Sequence, residues 1–322
     1  MKTALICGVS GQDGAYLAKL LLEKGYRVVG TSRDAQASSF ANLHRLSIAD
    51  DVERESMVLT DFRSALQTIA KAKPEEIYNL AGQSSVGLSF EQPAETMESI
   101  CVGTLNLLEA VRFLGAEARV YNASSSECFG DIGTEGASEQ TPFRPRSPYA
   151  VAKAGAHWAV VNYREAYGLF AANGILFNHE SPLRPDRFVT KKIVRAACRI
   201  RQGSEHMLRL GNIAIQRDWG WAPEYVEAMW RILQHPKADD FVIATGAAHS
   251  LADFAAAAFR ELSLDWHDYV KLDDQLQRPS DILYSKGDAG KANAQLGWKS
   301  SYTMPDVVRM MVQAELNNDK LA

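Results

Sequence analysis

The sequence has four cysteines in 322 residues, and Cys7, Cys101, Cys128 and Cys198 stand far apart, mostly among apolar neighbours. That spacing excludes a disulfide scaffold and suits buried free thiols in a reducing compartment. No apolar run approaches the roughly 18 residues needed to cross a bilayer. The short stretch from Ala4 to Val9 leads straight into a glycine-rich turn, unlike a signal peptide. A cytoplasmic protein with no membrane contact is expected. Neither sign of charge is in excess: 35 basic and 39 acidic side chains, well mixed, leave a net charge of -4. This excludes the basic stripe of a nucleic-acid or anionic-lipid binder and points to small molecules and further copies of the chain as partners. The histidines lack metal-ligand spacing, and "HESPL" at 179 has no second histidine for a zinc-binding helix, so no metal is expected. Internal repeats and low-complexity tracts are missing as well.

What is present is a chain 46% apolar, enough for a sizeable core. Its first half alternates β-rich runs with helical patterns: "TALIC" then 13–24, "YRVVGT" then a polar loop, "EEIYNL" then 93–114, "ARVYNAS" then 146–167. Such alternation predicts an α/β fold, a Rossmann-type doubly wound parallel sheet covered by helices on both faces. After about residue 178 the rhythm changes. A proline-bearing loop precedes a helix at 189–202, a strand at 241–245, a helix at 250–263 and an irregular acidic stretch at 264–285. The expected organisation is a dinucleotide-binding domain over 1–177 with returning segments near 213–246, and a smaller α/β substrate-binding region over 178–212 and 247–322.

Directly after the first strand comes "CGVSGQDGAYLAKLLLEKGY", with Gly8, Gly11 and Gly14 spaced three apart before an amphipathic helix. Glycines there allow a tight turn, close approach of backbone N–H groups to a pyrophosphate, and close packing of helix on strand. A structural turn is the plainer reading of a glycine triplet, but strand, turn and helix fall in the order a dinucleotide requires. The second strand ends in "VVGTSRD", where an acid would bond the 2'-hydroxyl of NAD and an arginine the 2'-phosphate of NADP. Arg33 favours NADP, and Asp34 beside it keeps NAD open.

"SPYAVAKAG" at 147–155 sets Tyr149 and Lys153 one helical turn apart. An ammonium beside a phenol favours the phenolate, which would make Tyr149 a usable base near neutral pH. Such a pair also arises by chance on solvated helices. The run "YNASSSECFG" separates the readings: it follows a strand, ends at the carboxyl edge of the sheet, and offers Ser125 as a hydroxyl and Glu127 as a carboxylate beside the same pocket. Ser124 and Ser126 are alternative donors.

These features, with "GTLNLLEAVR", "PFRPRSPYAVAK", "GILFNHESPLR", "FVTKKI", "LGN", "QRDWG", "EYVEAMWRILQ" and "ATG" in order, resemble the GDP-mannose 4,6-dehydratase family of extended short-chain dehydrogenase/reductases over nearly the whole chain. The resemblance implies a lyase that oxidises the sugar at C4, eliminates water across C5–C6 and returns the hydride to C6. Tyr149 would take the C4 hydroxyl proton, Ser125 would hold the oxygen, Lys153 would tune Tyr149 and bond the nicotinamide ribose, and Glu127 would remove the C5 proton. A dehydratase of another nucleotide-linked hexose or heptose, or a nucleotide-sugar 4-reductase or epimerase, is the alternative. A simple reductase or epimerase requires no carboxylate base at position 127.

For the dinucleotide, the resemblance adds Gln12, Asp13, Leu59, Leu80, Ala81, Gln83, His179 and Arg184 to the glycines, Arg33, Tyr149 and Lys153. For the GDP-linked sugar it implies Ser84, Asn178, Glu180, Val189, Lys192, Leu210, Gly211, Asn212, Arg217, Arg278 and Asp281. Arg217 and Arg278 are the expected diphosphate ligands, since planar guanidinium forks suit phosphate oxygens. Two positions depart from the family pattern. Arg33-Asp34 stands where adjacent arginines are usual, in a loop that also reaches a neighbouring subunit, so a homodimer is expected and a tetramer left open. Val58 in "MVLTDF" stands where an acid would bond adenine.

Overall fold

A computed structural model of the chain describes residues 1–276 and 279–318. The first apolar run forms β1 (Thr3–Cys7), followed by α1 (Gln12–Glu23), β2 (Arg27–Ser32), a short α2 (Ala41–Arg45), β3 (Glu53–Ser56), α3 (Phe62–Ala72) and β4 (Glu76–Asn79). Short helices α4 (Val86–Glu91) and α5 (Pro93–Met97) lead through a π-helical turn at Glu98–Val102 into α6 (Gly103–Phe113), then β5 (Arg119–Ser125), α7 (Pro148–Tyr167) and β6 (Ala171–Leu176). The continuous helix expected over 93–114 is thus broken in register by that π turn.

The second half runs through β7 (Asn178–Glu180), α8 (Val189–Arg201), β8 (Leu208–Leu210), β9 (Gln216–Trp221), α9 (Ala222–Gln234), β10 (Phe241–Ile243) and β11 (Ala248–Ser250). It ends with α10 (Leu251–Arg260), β12 (Val270–Leu272), α11 (Gly290–Leu296) and α12 (Met304–Asn318). The stretch 264–285, read as irregular, contains β12.

Among the described residues, the large sheet has the order β10-β6-β5-β4-β1-β2-β3, every pair parallel. Strands β1, β4, β6 and β10 are buried at every residue, as sheets covered on both faces require. Successive residues of β1 serve opposite faces. Ala4 and Ile6 meet α1 and α9 through Leu17, Leu21, Met229 and Ile232, whereas Leu5 and Cys7 join Ile69 of α3, Leu107 of α6 and Val160 of α7.

The smaller layer consists of β11-β9-β7 and the pair β12-β8. Its core joins Ile193 and Val194 of α8, Phe254 and Phe259 of α10, and Val307 and Met311 of α12. Strand β9 belongs to this layer, while α9 and β10 lie with the large sheet. Ala292 of α11 and Trp298, within the 247–322 stretch expected in the substrate-binding region, pack into the core of the large sheet.

Sheet order fixes where a ligand can bind. From β1 the chain crosses to β2 on one side, and β4 returns to pair with β1 on the other. The crevice between these diverging connections opens at the carboxyl ends of the strands.

Candidate active site

A cavity of about 390 Å³ lies in that crevice, between the large sheet and the smaller layer. Ser125 and Glu127 reach it from the end of β5, Tyr149 and Lys153 from the first turns of α7. Helix α7 begins where it does because Ser147 caps it, accepting from Ala150 N at 3.1 Å, and Pro148 occupies the first helical position. Farther along, a Cβ on Gly155 would lie 2.8 Å from Cys101 Sγ, so glycine permits the close approach of α7 to the π turn.

Lys153 Nζ donates to Ala123 O at 2.7 Å and lies 5.8 Å from the centre of the Tyr149 ring. Burial draws the lysine down to about 8. Burial also pushes the Tyr149 hydroxyl above its ordinary range, while a hydrogen bond with Ser125 pulls the other way. In the protein alone, then, the expectation of a phenol brought toward neutrality by Lys153 is not met, because desolvation dominates both groups.

The three consecutive serines are not equivalent. Ser124 Oγ is 3.3 Å from His157 Nδ1, inside a network in which Asp240 bonds Arg164 through both guanidinium nitrogens. Ser125 hydrogen-bonds with Tyr149 and accepts from Glu127 N at 3.2 Å. Of the three, Ser125 is the one that meets Tyr149.

At the phosphate loop, Gly8 has φ +84°, and a Cβ there would meet Leu80 O and Ala81 N at 3.1 Å. A Cβ on Gly14 would stand 2.4 Å from Gly8 O. Gly11 precedes α1 without any side-chain cap, so the first-turn N–H groups are left for something else. Bare backbone at a helix N-terminus fits a pyrophosphate.

Asp13 of α1 lines the cavity, and Gln12 beside it braces the loop. The Gln12 amide donates to Asp13 Oδ1 at 2.9 Å and accepts from Ser181 Oγ at 2.7 Å, so its side chain serves the protein rather than a ligand. Leu80, His179 and Arg184 line the cavity, whereas Arg33, Leu59, Ala81 and Gln83 do not. Gln83 spends its amide on Ser85 O and Thr96 Oγ1, and Leu59 is buried with its carbonyl bonded by Asn106. Arg33 is exposed. Asp34 Oδ1 accepts from Gln36 N at 2.9 Å and Ala37 N at 3.1 Å, which turns that carboxylate onto its own loop. Asp61, the next acid after Val58, caps α3 through Arg63 N.

Ser84, Asn178, Glu180, Val189, Lys192, Leu210, Gly211, Asn212, Arg217 and Asp281 all line the cavity. Arg278 lies outside the described residues. Arg217, expected on the diphosphate, is 4% exposed and donates to Ile282 O at 2.7 Å and Asp281 Oδ1 at 3.1 Å, so part of its fork is engaged within the protein. Arg184 faces the buried Glu180 carboxylate at 2.9 Å. Sequence reasoning missed Ser85, Val86, Arg187, Phe188 and Thr190, all cavity residues. Ser85 and Val86 come from the segment after β4 and the other three from around the start of α8, so their meeting depends on how distant segments fold together, for which no local signal exists. Among the described residues no cluster of three or more His, Cys, Asp or Glu side chains could hold a metal ion, and no helix is long and apolar enough to cross a membrane.

A parallel sheet with a glycine cradle and a serine, tyrosine and lysine at its carboxyl edge defines an extended short-chain dehydrogenase/reductase fold. Solved structures share it: UDP-glucose 4-epimerase of Thermus thermophilus with NAD (TM-score 0.85, 24% identity, 98% of this chain and 99% of that one). Another is the dTDP-glucose 4,6-dehydratase DesIV of Streptomyces venezuelae with NAD and TYD (TM-score 0.87, 22% identity, 99% and 98%).

More narrowly, the chain belongs to the GDP-mannose 4,6-dehydratase family, whose model matches residues 5–311. It is 47% identical to GDP-mannose 4,6 dehydratase 2 of Arabidopsis thaliana, over 98% of this chain and 87% of that protein. It is 44% identical to GDP-mannose 4,6-dehydratase of Sinorhizobium fredii, over 98% and 97%.

Proposed function

We propose that the protein is an NADP-dependent lyase that converts GDP-mannose to GDP-4-keto-6-deoxymannose. The observation that carries this reading is the convergence of Ser125, Glu127, Tyr149 and Lys153 on one cavity beside the glycine cradle. When bound there, a nicotinamide dinucleotide supplies hydride acceptance and return. Tyr149 takes the proton of the C4 hydroxyl, and Ser125 holds that oxygen. A C4 carbonyl acidifies the C5 proton, which Glu127 removes and passes to the departing C6 hydroxyl, so that water leaves, and C5 takes up a proton from solvent when C6 is reduced. Lys153, anchored on Ala123 O, would hold the nicotinamide ribose. The engagement of Asp34 by its own loop supports Arg33 on a 2'-phosphate, and hence NADP over NAD.

Charge supports a diphosphate substrate. The acids Asp13, Glu180 and Asp281 each face a cation, and Lys192 and Arg187 add positive charge to the cavity.

A homodimer is part of the same proposal. Helices α6 and α7 lie side by side, with Glu109 accepting from Tyr163 OH at 2.7 Å, and together with the π turn ahead of α6 they leave Val102, Leu105, Val151 and Trp158 exposed. Helix-spaced apolar side chains on one surface are best covered by a second copy. The free thiols, three of them buried, suit the cytoplasm.

The test is incubation of purified protein with GDP-mannose and catalytic NADP, following the 4-keto product and the NADPH absorbance together. Product with no net NADPH change is expected. Stoichiometric consumption of NADPH would indicate a reductase, and turnover of a different nucleotide sugar alone would overturn the substrate.

A further inference from the structure

We propose that Arg187 is a substrate-positioning residue that closes over the nucleotide diphosphate from the loop ahead of α8. This rests on the nucleotide-sugar reading of the cavity and adds a ligand to it. Four guanidinium or ammonium groups enter the outer cavity: Arg184, Arg187, Lys192 and Arg217. Arg184 is matched by Glu180 and Arg217 by Asp281. Asp186, the acid next to Arg187 in sequence, is instead bonded to Arg195, which also approaches Glu315. Among the described residues no carboxylate pairs with Arg187.

Among the described residues its polar side-chain partner is Ser84 Oγ, at 3.4 Å, on the opposite wall. Ser84 follows β4 on the large sheet, whereas Arg187 belongs to the segment that leads into the smaller layer, so the contact spans the cavity mouth. A neutral hydroxyl at that distance is a weak partner for a guanidinium. The side chain is exposed, with Phe188 beneath it at 5.3 Å from guanidinium carbon to ring centre, a support that leaves the fork available. Lys192 is held to Arg209 O at 2.7 Å one turn farther along. An anion between Ser84, Arg187 and Lys192 would receive a planar fork from one side and a point charge from the other. The cofactor's pyrophosphate is assigned to the Gly8–Gly14 cradle on the far wall, which leaves the substrate diphosphate as the anion for Arg187.

The experiment compares wild type, Arg187→Gln and Arg187→Lys by steady-state kinetics with GDP-mannose and by calorimetric titration with GDP. GDP carries the diphosphate without the sugar, so its affinity tests Arg187 even if GDP-mannose is not turned over. Loss of one charge-assisted hydrogen-bonding group predicts a KM for GDP-mannose and a Kd for GDP raised about 10- to 100-fold in R187Q. The kcat should stay within about threefold, because the residue binds ground and transition states alike. R187K should recover part of the affinity, and the gap between wild type and R187Q should narrow with added salt. Unchanged GDP affinity in R187Q would overturn the proposal. So would a rise confined to the KM for NADP, which would place the residue on the cofactor.

Discussion

Asp13 Oδ2 lies 2.9 Å from His179 Nε2, and the other nitrogen of that ring lies 2.7 Å from Phe177 O. Both ring nitrogens face acceptors, so the imidazole carries two protons and the pair is ionic. It joins the first turn of α1 to β7, and the ring stacks on Tyr225 with centres 4.5 Å apart. Burial opposes both charges, yet their mutual attraction wins: Asp13 is held at about 2 and His179 is raised.

This pair carries a pH signature. Asp13 is depressed, so its contribution is present above the unfolded carboxylate range and is lost as pH falls toward about 2. His179 is raised, so its contribution is full below the ordinary histidine range and is lost as pH rises through the folded value. Asp13→Asn should therefore destabilise the protein by about 2 kcal/mol at mildly acidic pH. The loss should be smaller at pH 9, as measured by urea unfolding at both pH values. An equal loss at both would refute the ionic assignment.

Glu127→Gln should abolish elimination while leaving substrate binding intact. Removal of a positioned general base costs on the order of 10²- to 10⁴-fold in rate. Solvent deuterium should also fail to enter C5 of the sugar recovered from E127Q, read by mass spectrometry. Retention of label in E127Q would assign the base elsewhere.

The serines give a paired test. Ser125→Ala removes the hydroxyl that bonds Tyr149 and should lower kcat by roughly 10- to 100-fold. Ser124→Ala should leave kcat within about threefold and lower the melting temperature, since it vacates the His157 network. The reverse pattern would transfer the role to Ser124.

Arg33→Ala should raise the KM for NADP by about 10- to 100-fold and leave the KM for NAD little changed. Equal effects on both cofactors, in assays with each, would remove Arg33 from the 2'-phosphate.

Trp158→Glu should convert the dimer to monomers, because it buries a charge in an apolar interface. Light scattering with size-exclusion chromatography reads this directly, and a wild-type monomer would remove the dimer from the proposal.

Much of the site was legible in local strings. Gly8, Gly11 and Gly14 announce a close backbone approach because the glycine spacing and the following helix are sequence features. Tyr149 and Lys153 share a helix face through the i, i+4 repeat. Less was legible where the signal is polar or distant. Strand β3, "ERES", pairs with β2 at the sheet edge, and such a charged edge strand protects against further pairing but carries no apolar alternation. The choice of Ser125 over Ser124 turns on His157, 33 residues downstream of Ser124.

By itself the sequence determined the alternating α/β order, the cradle and the chemical types of the reacting side chains, because periodicity, glycine spacing and residue identity act over a few neighbouring positions. Only the tertiary structure decided which cations in the cavity keep a carboxylate partner. It also decided that Asp13 charges His179 and that Arg187 faces Ser84. Those outcomes depend on distances between segments far apart in the chain, and electrostatics responds to distance and burial rather than to order along the backbone.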